Sequence, residues 1–314
     1  METDTITPSV MRYSDQYPMS APVMDLNYSV CIPSNGATFS PNQEIRIPFN
    51  VPADCFVDTK RAYLKYRINN GGPDTIFLDP LAGSAALIEN WRVVSGTGAL
   101  LEEIIHYNAL ASIINTSNSV SRQESTGNIM EGGSYTPLTV IVGASAAGDA
   151  AHAFHTSIAT AQSGVFTHRP ISAIFNADKY LPFGYTQGTS YVSLTLTNGA
   201  GAFSVNLGDD GTATDVWTID QVELHLPILR PGNEFAQNFR TLLASGMPIN
   251  IHSVGFQNSQ QNIAADTTGQ VVLTFSTRKR SVKSLLTTFR INAFLTSHLV
   301  DSASCRKNCG ITNY

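Results

Sequence analysis

The stretch WTIDQVELHLPILRPGNEFAQNFRTLLASG, residues 217–246, carries two periodicities back to back. In its first half Val222, Leu224, Leu226 and Ile228 alternate with Glu223, His225 and Pro227. Successive side chains of a strand leave on opposite faces, so a period of two marks a strand with one apolar side. In its second half Phe235, Phe239, Leu242 and Leu243 recur at i, i+4, i+7 and i+8, the spacing of one helical face. Asn233 is expected to cap this helix, and Gly246 with Pro248 to stop it. One strand therefore runs straight into one helix.

The same alternation recurs upstream. Ile45, Ile47, Phe49 and Val51 form one such set, Ala62, Leu64, Tyr66 and Ile68 a second, and Val192, Leu194 and Leu196 a third. Between them lie the turn signals SNG (34–36), NNGG (69–72), SGTG (95–98), TNGAG (197–201) and GDDG (208–211). Short strands so punctuated predict a sandwich or barrel. A second helix is expected over LLEEIIHYNALASII, residues 100–114, with Leu101, Ile104, Ile105 and Ile114 in one stripe. It follows the strand-like LIENWRVVSG. The order strand, short loop, helix thus occurs twice, roughly 130 residues apart, a weak internal repeat that predicts two β-domains in series. Residues 116–165, rich in Ser, Gly, Ala and Thr, read as a long loop in the first.

Composition bounds the function. The 314 residues are 42% hydrophobic, which excludes a disordered chain. Only 14% are charged, against about 25% in an average domain. Few charges leave a surface open to self-association. The net charge of −5 supplies no general field for nucleic acid. Residues 1–25 hold Pro8, Pro18 and Pro22, show no apolar period and read as an extended arm. The amino terminus lacks the layout of a secretory signal, and no apolar run reaches the roughly 18 residues of a membrane span, so synthesis inside the cell without secretion is expected.

Chemistry is hard to find in this sequence. His152 and His155 form an H-A-F-H pair with no acidic partner, GASAAG (143–148) is not a nucleophile elbow, and GDDG is better explained as a turn than as a calcium loop. Cys31 and Cys55 sit singly among apolar residues as buried thiols, and Cys305 and Cys309 form a lone C-x3-C without the second pair of a zinc site. His106 beside Glu102 and Glu103 reads as a surface contact within a helix. Trp91 and Trp217 fall in strand patterns and read as core. No catalytic, cofactor-binding or metal-binding set emerges, and no enzyme, cofactor or small-molecule substrate is expected.

Taken in order, four segments resemble the double jelly-roll major capsid proteins of the adenovirus–tectivirus lineage, most of all the small virophage- and polinton-like members. They are ALIENWRVVSGTGALLEEIIHYNALASII (86–114), ISAIFNADKYLPFGYTQGTSYVSLTLT (171–197), the opening stretch (217–246) and RSVKSLLTTFR (280–290). The resemblance implies an all-β fold of two tandem jelly-roll sandwiches, each with a short inserted α-helix. It places the arm at 1–25, the first jelly roll at 26–200 and the second at 201–314, the latter either compact or truncated. It also implies homotrimeric capsomers of pseudo-hexagonal outline tiling an icosahedral shell, in contact with neighbouring capsomers, a penton protein, and the genome or an internal membrane. The expected location is the virion.

Two other readings stay open. A single-jelly-roll capsid protein of a small RNA virus would carry a basic arm, whereas residues 1–25 hold Arg12 against Glu2, Asp4, Asp15 and Asp25. A carbohydrate-binding sandwich, spike- or lectin-like, would need exposed aromatic residues on a groove. The cluster Arg278, Lys279, Arg280 and Lys283 is the candidate basic contact patch, a turn between VVLTF and LLTTF that meets solvent, a neighbouring subunit, genome or headgroups.

Overall fold

The structure is a computed structural model that describes residues 23–133, 156–199, 202–205, 216–263 and 281–290, with Val272, Thr274 and Ala303. Its strands in chain order are β1 (Val23–Cys31), β2 (Thr38–Phe39), β3 (Glu44–Phe49), β4 (Phe56–Val57), β5 (Tyr63–Asn70), β6 (Ile76–Leu78), β7 (Ile88–Val94) and β8 (Leu100–Ile105). Then follow β9 (Ser157–Ile158), β10 (Ser163–His168), β11 (Ser190–Leu196), β12 (Phe203–Val205) and β13 (Trp217–Pro231). One sheet runs β1-β13-β5-β10, with β2 and β4 added to β13, and the other runs β3-β11-β7-β8. Every pairing is antiparallel. Eight strands in this order are a jelly roll, two Greek keys folded into two facing sheets. A small third sheet, β12-β6-β9, adjoins it.

The alternation read from the sequence is what fills the space between the sheets. Ile45, Ile47 and Phe49 from β3, Leu64, Tyr66 and Ile68 from β5, and Val192, Leu194 and Leu196 from β11 all point into one core. Trp91 and Trp217 are buried in it, as their strand patterns predict. Trp91 stacks on Tyr107 at 5.6 Å and meets Phe175 edge-on at 5.5 Å. Strand β13 reaches this core in two phases. Trp217 and Ile219 face inward, and after a bulge at Asp220–Glu223, where Gln221 takes a left-handed φ of 49°, Val222, Leu224 and Leu226 do so. The extra residue of a bulge shifts the inward face by one position.

Helix α1 (Tyr107–Thr116) begins seven residues later than the sequence pattern predicts, because LLEEII is strand β8 instead. The apolar residues of LLEEII satisfy either period, and β7 offers its backbone groups to pair with. Glu102 adds a tie by accepting bonds from the amides of Ala173 (2.7 Å) and Ile174 (3.3 Å). The first half therefore reads strand, strand, helix and does not repeat the plan of the second. The expected long loop at 116–165 contains α2 (Val120–Arg122), a π-helical turn, α3 (Asn128–Glu131), β9 and the start of β10, and its residues 134–155 lie outside the described part.

Helix α4 (Asn233–Ala244) follows β13 as expected and stops before Gly246, whose φ is 73°. Its cap is Gly232 rather than Asn233, which is the first helical residue. Phe235, Phe239 and Leu242 pack with Phe56 and Leu229 into a second cluster on the outer side of the β1-β13-β5 sheet. The division expected near residue 200 assigns β13 to the second unit, yet its hydrogen bonds run to β1 and β5. The strand is central to the first sandwich.

Candidate functional site

Most residues that the sequence singled out are dispersed or lie beyond the described part. Arg278, Lys279 and Arg280 lie outside the described residues, as do His152, His155, the GASAAG and GDDG segments, Cys305 and Cys309. Lys283 is described and exposed, in a stretch, 281–290, that is neither helix nor strand, although LLTTF reads as strand-like. Cys31 and Cys55 are buried free thiols, and burial raises the pKa of both. Among the described residues no cluster of three or more His, Cys, Asp or Glu could hold a metal ion. A water-sized hollow lies between the Pro80–Gly83 turn and the helical segment beyond it, lined by Asn115, Arg122, Gln123 and Glu131 among others. Burial raises the Glu131 carboxyl pKa there.

The polar groups that do converge act as latches on the β8–α1 corner. His106, in a left-handed conformation between β8 and α1, bonds through Nδ1 to Glu89, whose other oxygen accepts from Asn108 Nδ2 at 3.1 Å. Its partner is thus across the sheet and not Glu102 or Glu103, because the chain there is a strand. The bond to Glu89 raises the His106 pKa. The next residue, Tyr107, accepts from the Ile171 amide at 2.7 Å and donates to His168 Nε2 at 2.6 Å. His168 is wholly enclosed, and burial lowers its pKa to about 4. Glu102 completes the set by also accepting from the Ser172 hydroxyl. These bonds hold segment 171–174 to the sandwich.

The exposed features of the sandwich are its outer faces. On β5 and β13 the outer face is polar and internally paired. Arg67 grips Asp220 with two bonds of 2.7 and 2.6 Å, Lys65 meets Glu223 at 3.0 Å, and Tyr63 stacks on His225 at 4.5 Å. The terminal strands of the two sheets differ from this. Leu26, Tyr28 and Val30 stand exposed on β1, and Leu100, Leu101 and Ile105 on β8. Sequence reasoning missed these stripes, since alternation identifies an apolar face without saying what covers it.

No protein-family model matches the chain, and no curated protein matches it. Solved structures do. The Faustovirus major capsid protein is 11% identical over 73% of this chain and 58% of its own, with a TM-score of 0.42. The Sputnik virophage structure is 14% identical over 67% and 48%, with a TM-score of 0.42, and the PBCV-1 virus capsid 8% identical over 68% and 44%, with a TM-score of 0.38. This chain spans about half the length of those it resembles. The chain is similar to double jelly-roll major capsid proteins, and its described residues hold one jelly roll.

Proposed function

We propose that this chain is a structural protein of a virus shell, a major capsid protein that self-assembles into trimeric capsomers of pseudo-hexagonal outline. The observation that carries this reading is a complete eight-strand jelly roll whose terminal strands, β1 and β8, leave apolar side chains bare while its interior is packed. Jelly rolls serve as shells, lectins and enzyme scaffolds. A lectin or enzyme needs polar groups converging on a concavity. Here the converging groups, Glu102, His106, Tyr107 and His168, are used up in holding the fold together.

In this reading the first jelly roll runs through β13, and the residues after α4 contribute to a second. Neighbouring capsomers and a penton protein are the partners. Arg278, Lys279, Arg280 and Lys283 form a local basic contact facing genome, headgroups or an adjacent subunit. The site of action is the virion. Light scattering on the purified protein, with negative-stain images of the same sample, tests the proposal. Stable trimers and hexagonally tiled particles are expected. A monomer that binds glycans and forms no assemblies overturns it.

A further inference from the structure

Beyond α4 the chain turns back along the sandwich. Residues 247–263 form neither helix nor strand, yet they meet the fold repeatedly. Met247 and Ile249 pack on the cluster of Phe56, Phe235 and Phe239. His252 and Asp178 exchange two bonds of 3.2 Å. The His252 carbonyl accepts from the Asp178 amide, and the His252 amide donates to Asp178 Oδ1. A side chain at Gly255 would place its Cβ 3.6 Å from that of Ala173, and Phe256 beside it packs on the main core. Gln260 then meets the His106 imidazole at the β8–α1 corner. The segment thus runs back along the connection between β10 and β11, from Asp178 to Ala173.

We propose that residues 247–263 are a strap that lifts from the sandwich as a unit while the fold beneath it stays intact. The device works within the single chain, whether or not copies assemble. The strap is thinly held. Met247, Ile249 and Phe256 are only partly buried, and Ile251, Val254 and Ile263 are 38, 46 and 39% exposed. Segments with few buried apolar contacts open at a fraction of the free energy of global unfolding. The surface under the strap is also complete without it. Tyr107 holds Ile171, Glu102 holds Ser172, Ala173 and Ile174, and His106 keeps Glu89 as its partner. Asp178 is exposed, so water takes the place of His252 when the strap lifts. Each of these groups is then either paired or wet, which removes the main cost of parting two polar surfaces. A strap built into the core would bury its apolar residues as β13 does. A free tail would not bring His252 to Asp178 and Gly255 to Ala173 along one line.

Two measurements on the full chain test the strap. The first fixes where it lies. Ala173→Cys with Gly255→Cys sets two Cβ atoms at the spacing of a disulfide, about 3.5–4.5 Å. Mild oxidation should join the two introduced thiols in most molecules, as read by peptide mapping. No bond between these positions in a folded variant overturns the docking. The second measurement needs no substitution. Chymotrypsin cleavage after Phe256, followed by mass spectrometry in the parent, reports how often the strap lifts, because cutting tracks the open population. Its rate should barely change with urea below the unfolding transition, since a lifting strap exposes little new surface. In the oxidised variant it should fall by at least about tenfold. A rate that climbs with urea in step with global unfolding means that the strap opens only with the sandwich, and the proposal fails. A rate equal to that of a free peptide of the same sequence, or one that oxidation leaves unchanged, means that nothing holds the strap down, and the proposal fails as well.

Discussion

Strand β13 and the stretch SVKSLLTTFR, residues 281–290, have similar apolar content and opposite fates. In β13 Leu224 and Leu226 are 0 and 2% exposed, and neighbours pair with both edges of the strand. In 281–290 Val282, Leu285 and Leu286 are 61, 66 and 55% exposed, and no strand or helix forms. The difference lies in what surrounds each segment. A strand is stabilised by ladder bonds and by the side chains across from it, so its pattern is a request for neighbours and not a structure in itself.

The sharpest way to break this comparison is to truncate one side chain in each region. Trp91 fills the centre of the core between Tyr107 and Phe175, and Trp91→Ala should cost about 3–5 kcal/mol. Leu285→Ala removes a side chain already in water and should stay within about 0.5 kcal/mol. Urea unfolding of both variants checks the pair. A large loss at Leu285 would mean that 281–290 is covered in solution, by another part of the chain or by another copy.

How far the sequence could be read follows the same division. The core faces of β3, β5, β11 and β13 were legible because each alternates apolar and polar residues and is buried on the predicted side. Helix α4 was legible from its spacing and from Gly246. Strand β8 was not, because LLEEII satisfies both periods and only the free edge of β7 decides between them. The place of β13 in the first sandwich was hidden too, since strand order depends on pairings more than a hundred residues apart in sequence. The Glu89–His106 and Tyr107–His168 contacts have no local motif, and only the fold brings them together.

The second prediction concerns a latch that the exposed region lacks. Tyr107 donates to His168, which must therefore be neutral at Nε2 to accept. The imidazole is held near a pKa of about 4 in the folded chain, below the 6.5 of a free side chain. Between those values the unfolded chain binds more protons, so stability falls as pH drops from about 6.5 to about 4 and levels off below. The full effect is at most about 3 kcal/mol. His106 contributes the opposite slope, since its raised pKa means that its bond to Glu89 is lost as pH rises. Melting temperatures from pH 7 to 4 should show the fall in the parent and a flatter profile in His168→Gln. Identical profiles would show that His168 does not titrate with unfolding.

The smallest effect is expected at the bulge, where the inward face of β13 changes phase. Arg67–Asp220 and Lys65–Glu223 flank it from β5, on an outer face that is partly open to water. Exposed pairs of this kind contribute no more than about 1 kcal/mol, even with the two-bond geometry of Arg67. The sequence before the bulge places Trp217 and Ile219 inward, and the sequence after it Val222 and Leu224, so apolar burial already enforces the shift. Asp220→Asn should therefore cost less than about 1 kcal/mol, and less still in high salt. Leu224→Ala is the sharper comparison, because it truncates a wholly buried side chain just past the bulge and should cost about 2–5 kcal/mol. If denaturant melts rank Asp220→Asn as the more damaging change, the ion pairs, and not the buried side chains, set the phase of the strand.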